Sequence, residues 1–315
     1  MPLDLAAVTP AETPVWIDLL NPTSDEDKLV EELLGLDVPT RAEMEEIEPS
    51  SRLYHESGAE FMTMTALTGL ETDDPVKTPV TFILKGTTLV TVRYAEPKPF
   101  HAYTLRAQRP NAMPCQTGEL VMLGLLEALI DRIADTLERV ANEVDATSAE
   151  IFRKKASTAS RKTRNLQSMI ERIGKQGDLL SKIRESLVSI NRLTSYHAAL
   201  DGTGRPASKE SRARTKVVQR DVTSLGEHAA FLSNKVNFLL DATLGLINLE
   251  QNQIIKIFSV AAVVFLPPTL VASIYGMNFD HMPELHWLLG YPWAIFLMIL
   301  SAVLPFFYFK RKGWL

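Results

Sequence analysis

Asn252, Ile255, Ser259, Ala262, Leu266, Thr269, Ser273 and Gly276 recur at intervals of three and four residues, the spacing of one helical face, through a stretch that carries almost no charge. Amides and hydroxyls facing lipid would lack hydrogen-bond partners, so such a stripe must face protein or water. It is either a helix contact, where small and hydroxyl residues are common, or the wall of a water-filled path. Spacing alone leaves both open. The chain then reads YGMNFDHMPELHW from Tyr275 to Trp287, which places the neutral amide of Asn278 at the lip of the apolar run.

The element that must carry the stripe runs from Ile254 to Tyr275, twenty-two residues whose one charge is Lys256. At ~1.5 Å per residue it covers roughly 33 Å, enough for a bilayer core. A second run, Leu288 to Phe309, has no charge and ends in Lys310, Arg311 and Lys312. The loop between them holds Asp280 and Glu284 but no lysine or arginine, so the positive-inside rule puts it outside and the C-terminus in the cytoplasm. Trp287, Tyr291, Trp293, Tyr308 and Trp314 are placed as an interfacial belt. Lengths, flanks and the short loop argue for two membrane spans against a buried hairpin of a soluble fold. Pro267 and Pro268 interrupt backbone bonding inside the first span and require a bend or compensation by neighbours.

From the turn-rich stretch Asp201 to Pro206 onward there is no proline before Pro267, and apolar residues recur at helical spacing. One helix is therefore predicted from about Ala207 through the membrane. Residues 118–206 read as a helical hairpin region with its polar tip at Arg153 to Lys162, and the segment LGLLEALIDRIADTLERVANEVDAT has a clear 3.6 period. Residues 1–117 read as α/β. VWIDLL, EFMTMTAL and VTFILKGTTLVTVRY alternate like strands, Lys85-Gly86 supplies a hairpin turn, and Thr23 to Glu26 forms a capping box opening a helix over Lys28 to Leu34. The predicted organisation is thus residues 1–117, a hairpin region 118–206, a stalk 207–253 and a membrane domain 254–315, an α+β membrane protein.

The net charge of -5 is unevenly spread: residues 1–100 hold 7 basic and 19 acidic side chains. An acidic front argues against nucleic acid and permits cations as partners. The single cysteine, Cys115, forms no internal disulfide, which fits a reducing compartment, and nothing at the start reads as a secretion signal, so the N-terminus is expected in the cytoplasm. No GxxxxGK[ST] occurs, and the six histidines, His281 and His286 included, show no catalytic or tight metal spacing. An enzyme is not expected. Two spans cannot enclose a water-filled path, so a pore needs several copies about an axis, and cyclic symmetry is the usual solution for identical chains.

Tyr275-Gly276-Met277-Asn278-Phe279, followed by Met282-Pro283-Glu284-Leu285, two C-terminal spans and the ending YFKRKGWL, resembles the CorA family of magnesium transporters. The resemblance is closest from about Lys235 to Leu315, including KVNFLL, NLEQNQIIKIFSV, FLPPTLVAS and GYPWAIF; upstream it rests on domain order, an acidic front and a helical middle. It implies a funnel-shaped homopentamer with an α/β cytoplasmic domain, an inner stalk continuing into the pore-lining span, and a peripheral second span. It implies that Gly276, Met277 and Asn278 form the outer filter and that Asn252, Ile255, Phe258, Leu266 and Thr269 line the pore, with Ile255 and Leu266 as apolar constrictions; Ser259 and Ser273, on the same stripe, join them as pore-lining candidates.

With that family in view the amide acquires a purpose. Mg²⁺ gives up its waters reluctantly, and a ring of neutral amide oxygens accepts hydrogen bonds from those waters without stripping them. A carboxylate ring would hold cations harder, and conduction needs sites that release. Asp280 and Glu284 would raise cation concentration at the mouth, or serve only as solvated loop residues. The resemblance further implies closure by intracellular Mg²⁺, for which Asp221 and Asp241 are the candidate ligands. The tip around Arg153 to Lys162 is basic where the family often has acid, so it receives no metal role. Lys310, Arg311 and Lys312 form a basic collar or a topology signal in a bacterial inner membrane. Mg²⁺ is expected as both substrate and regulator, with no organic cofactor; Co²⁺ and Ni²⁺ are further candidate ions. The alternatives are a zinc transporter of the same fold, which the intact Gly-Met-Asn opposes, and a membrane-anchored sensor that transports nothing.

Overall fold

The computed structural model describes residues 14–72, 74–108, 116–152, 159–200, 208–278 and 282–313. Cys115, the Asp201 to Pro206 stretch, Asp280, His281 and Trp314 lie outside them, as does the tip from 153 to 158. The described residues fall into two compact units, one made of the residues up to 152 together with 167–240, the other of 159–166 together with those from 241 onward.

The first unit opens with β1 (Trp16–Leu20), α1 (Ser24–Leu34), α2 (Arg41–Glu45) and α3 (Pro49–Arg52). It continues with β2 (Leu53–Glu56), β3 (Ala59–Thr68), β4 (Val76–Lys85), β5 (Thr88–Arg93) and α4 (Lys98–Ala107). The five strands form one mixed sheet in the order β1-β5-β4-β3-β2, in which β1 runs parallel to β5 and every other pairing is antiparallel. The expected capping box starts α1: Thr23 Oγ1 accepts from the Glu26 amide at 3.4 Å, and Glu26 Oε2 accepts from the Thr23 amide at 2.8 Å. Gly86, with φ of 59°, turns β4 into β5 as Lys85-Gly86 predicts.

The alternation read in EFMTMTAL does not mark a half-solvated strand. β3 is buried along nearly its whole length because both faces of the sheet are covered. Phe61 and Ile83 pack with Val30, Leu36 and Met44 on one side. On the other, the Phe82 ring stands 6.3 Å from the Phe100 ring of α4, and the Thr65 amide donates to Ser189 Oγ at 2.9 Å. Thr63 and Thr81, on the same sheet face as Phe61 and Ile83, satisfy each other between strands at 2.8 Å, which lets two hydroxyls sit on that buried face. The short elements α2, α3, β2 and α4 carry too little periodic pattern to have been read from sequence.

Two long helices follow, α5 (Gly118–Phe152) and α6 (Ala159–Leu200). Next comes α7 (Lys209–Tyr275), 67 residues long and continuous through Pro267 and Pro268. It belongs to the first unit as far as Leu240 and to the second beyond it. The second unit is completed by a 3-10 turn (Pro283–His286) and α8 (Gly290–Arg311). α8 is shifted two residues from the predicted run of 288–309: Leu288 and Leu289 sit in the preceding turn, and the helix continues through Lys310 and Arg311. Pro292 falls in its first turn, where a missing amide hydrogen costs nothing. α7 and α8 are each long and apolar enough to cross a bilayer.

Candidate functional site: the open face of the first span

Within the second unit, α7 has two unlike sides. Val260 is 4% exposed, and Ala261, Val264, Pro267, Val271 and Tyr275 are partly covered, all on one helical face. Asn252, Ile255, Phe258, Ser259, Ala262, Leu266, Thr269, Ser273 and Gly276 are all exposed. At 100° per residue the two sets are centred about 180° apart on the helix. The polar stripe therefore points directly away from the face that the chain covers by itself. Of its apolar members, Ile255 is 61% exposed, Phe258 71% and Leu266 66%.

The prolines remove two backbone donors, so the carbonyls of Val263 and Val264 lack the amide hydrogens a regular helix would supply. Thr269, next in line, turns its Oγ1 hydroxyl onto the Phe265 carbonyl at 2.7 Å. That bond satisfies the hydroxyl's proton inside the helix and leaves its oxygen lone pairs to the stripe.

The helix ends where the motif begins. Gly276 N donates to Ala272 O at 2.9 Å and Met277 N donates to Ile274 O at 3.3 Å, a tightened last turn that delivers Asn278 to the exposed loop. Gly276 does not occupy the left-handed region. Its need for glycine is steric and mild: a Cβ there would stand 3.1 Å from the Ala272 carbonyl oxygen. Glu284 is described in its backbone only, within the 3-10 turn.

Asp221 lies on α7 in the first unit, partly buried, with Oδ1 3.4 Å from Arg220 Nη2. Across from it Asp131 of α5 is pushed above the usual carboxylate range, first by burial and then by Glu127, Asp135 and Asp221, against the opposing Arg106. Asp241 is exposed at the start of the second unit. Among the described residues no three His, Cys, Asp or Glu side chains are grouped so as to hold a metal ion. At the other end of the unit Lys310 and Arg311 close α8, and Lys312 sits with its ammonium 5.6 Å from the centroid of the Tyr308 ring.

One charged cluster escaped the sequence analysis. His197 near the end of α6 lies between Glu60 of β3, at 2.7 Å from its Nδ1, and Glu119 of α5, at 3.3 Å from its Nε2. The partners are 137 and 78 residues away, beyond any local spacing rule. The available signal was a carboxylate in each of two apolar elements, AEFMTMTAL and GELVMLGLLEALI.

A mixed sheet sandwiched by helices, feeding a single helix that becomes the first of two apolar spans, defines an integral membrane protein with an α/β extramembrane part. The family of CorA-like Mg²⁺ transporter proteins matches residues 11–311, and the chain belongs to this family. It is 37% identical over 307 residues to the magnesium transport protein CorA of Haemophilus influenzae, covering 98% of this chain and 94% of that one. It is 37% identical over 314 residues to that of Escherichia coli K12, covering 99% and 96%. The fold is that of the complete CorA magnesium transporter from Methanocaldococcus jannaschii, with a TM-score of 0.75 at 19% identity over 95% of this chain and 91% of the other. Full-length CmaX is also similar, with a TM-score of 0.64 at 14% identity over 95% and 88%.

Proposed function

We propose that the chain transports Mg²⁺ through a pore lined by the exposed stripe of α7, assembled from several identical copies. The observation that carries this reading is the opposition of the two faces: the chain covers one side of the span and leaves the side with Asn252, Ser259, Thr269 and Ser273 open. Polar groups so placed need water or further copies, and a ring of copies provides both. The assembly is a funnel-shaped homopentamer in the bacterial inner membrane, with both termini in the cytoplasm. The residues fall into the domains 1–117, 118–206, 207–253 and 254–315.

Gly276, Met277 and Asn278 form the outer filter, where five amide oxygens hold the hydrated ion by its waters; Asp280 and Glu284 gather cations outside. Ile255, Phe258 and Leu266 narrow the path below it, and apolar constrictions close by dewetting. Transport is passive. A divalent cation gains about 4.6 kcal/mol per 100 mV on moving inward, which supports a gradient on the order of a thousandfold. No organic cofactor and no chemical step are needed, so the protein is not an enzyme. Intracellular Mg²⁺ closes the path by bridging Asp221, with Asp131 nearby, to carboxylates of the adjacent copy, while Asp241 is a second cation contact nearer the membrane. Lys310, Arg311 and Lys312 form a basic collar that meets lipid headgroups. Co²⁺ and Ni²⁺, as similar hydrates, also pass. A zinc transporter of the same fold is disfavoured by the intact Gly-Met-Asn, and a sensor without transport leaves the polar stripe without a use.

Purified protein in liposomes tests this. Mg²⁺ enters under an inside-negative potential when internal Mg²⁺ is low, and Asn278→Ala stops the flux while the oligomer stays intact on size exclusion. Absence of uptake by the unaltered protein would leave the sensor reading; full transport by Asn278→Ala would remove the filter assignment.

A further inference from the structure

We infer that His197 is a doubly protonated joint that pins the end of α6 to β3 and α5, and that it gives up a proton when it opens, so that alkaline pH loosens it. Glu60 Oε2 stands 2.7 Å from Nδ1 and Glu119 Oε1 stands 3.3 Å from Nε2. An ionised carboxylate only accepts, so both ring nitrogens must donate, and that is the imidazolium. The two carboxylates face opposite edges of the ring and do not converge on one point, which suits a hydrogen-bonded chain and not a metal site.

Burial makes the arrangement consequential. His197 is 6% exposed, Glu60 7% and Glu119 6%, so an unpaired charge among them would be costly. The backbone favours this choice of charges: Glu119 sits in the first turn of α5 and His197 in the last turn of α6, each at the helix end whose dipole suits it. Close approach of Gly118 to β5 brings Glu119 into position, with Gly118 N donating to Thr87 O at 2.6 Å. Among the described residues, titratable neighbours of the joint include Tyr196, next to His197 and raised by burial and by Glu60, and His55, the cross-strand neighbour of Glu60 on β2. On the other side of Glu60 the neighbour is Leu84 of β4, which carries no charge.

Burial alone would pull the His197 pKa down, but the hydrogen bonds and charges of Glu119 and Glu60 outweigh it and push it up to about 9 from 6.5. The closed joint therefore keeps a proton that an opened, solvated His197 releases. Its contribution is fully present below about pH 6.5 and is lost as pH rises to about 9. Between those limits one proton leaves on opening, so the opening constant grows about tenfold per pH unit.

Hydrogen exchange of the full chain in detergent micelles reads that constant directly. After correction for intrinsic base catalysis, the peptide spanning the last two turns of α6 is expected to open roughly fortyfold more readily at pH 8.5 than at 6.5, while a peptide from β4 stays level. His197→Gln removes the slope. Nitrogen NMR of the ring at pH 7.5 shows both nitrogens protonated. A flat profile in the unaltered protein, the same slope in His197→Gln, or a neutral imidazole at pH 7.5 would each overturn the inference. Should His197→Gln not fold, the unaltered protein's slope and ring signals decide alone.

Discussion

Gly118 stands so close to Leu89 that a Cβ on it would lie 2.4 Å from the Leu89 amide nitrogen and 2.6 Å from the Thr88 carbonyl carbon. The obstacle is backbone inside a sheet, which cannot step aside. Gly118→Ala is expected to destabilise the N-terminal unit by about 1–3 kcal/mol, the usual cost of overpacking. Gly226 in α7 has nothing within 4 Å of its Cβ position, so Gly226→Ala should gain up to about 1 kcal/mol of helix stability. Denaturant midpoints of the two variants, moving in opposite directions, check both.

The Arg93 guanidinium holds Asp18 with two bonds, Nη2 to Oδ2 at 2.7 Å and Nε to Oδ1 at 3.0 Å, and lies 4.8 Å from the Phe100 ring centroid. Lysine offers neither the fork nor the flat face. Arg93→Lys is expected to lower stability by about 1–2 kcal/mol, less than a fully enclosed pair would lose because Asp18 keeps 27% of its side chain exposed. The thermal midpoint should fall, and urea should report the same ordering.

Leu266 is an apolar member of the open stripe and sits one turn from the Thr269 hydroxyl. If Leu266 narrows the pore as proposed, Leu266→Ser wets that constriction and removes the barrier to a hydrated ion. Flux into liposomes loaded with high internal Mg²⁺ should rise severalfold over the unaltered protein; unchanged inhibition would place the gate elsewhere.

In the proposed filter, Asn278→Asp would replace a neutral ring by a charged one. Tighter holding slows release, so half-saturation should fall to lower Mg²⁺ while maximal flux drops, and the effect should weaken at high salt. Flux against external Mg²⁺ at two ionic strengths tests it.

Asp221→Ala removes one carboxylate from the surroundings of Asp131, whose pKa should then move back down toward the ordinary carboxylate value. Inhibition by internal Mg²⁺ should need several times more ion. Inhibition at the same concentration would move the regulatory site off this part of α7.

The membrane region was legible from residues alone because its determinants are local. Charge-free runs of bilayer length, basic and aromatic flanks, and a three-to-four spacing of polar residues are properties of consecutive positions, and the long α7 followed from a proline-free helical pattern. The Thr23 capping box and the Gly86 turn are local in the same sense. Three things depended on distant parts of the chain meeting. Strand order places β1 beside β5, which no neighbouring residue dictates; the double burial of β3 hides a pattern that alternates; and His197 finds Glu60 and Glu119 only after sheet and helices have packed. The stripe itself shows the division most plainly. Spacing puts Asn252 through Ser273 on one face, but whether that face meets its own chain or lies open is decided by which side of the helix the fold covers, and that is the side bearing Val260.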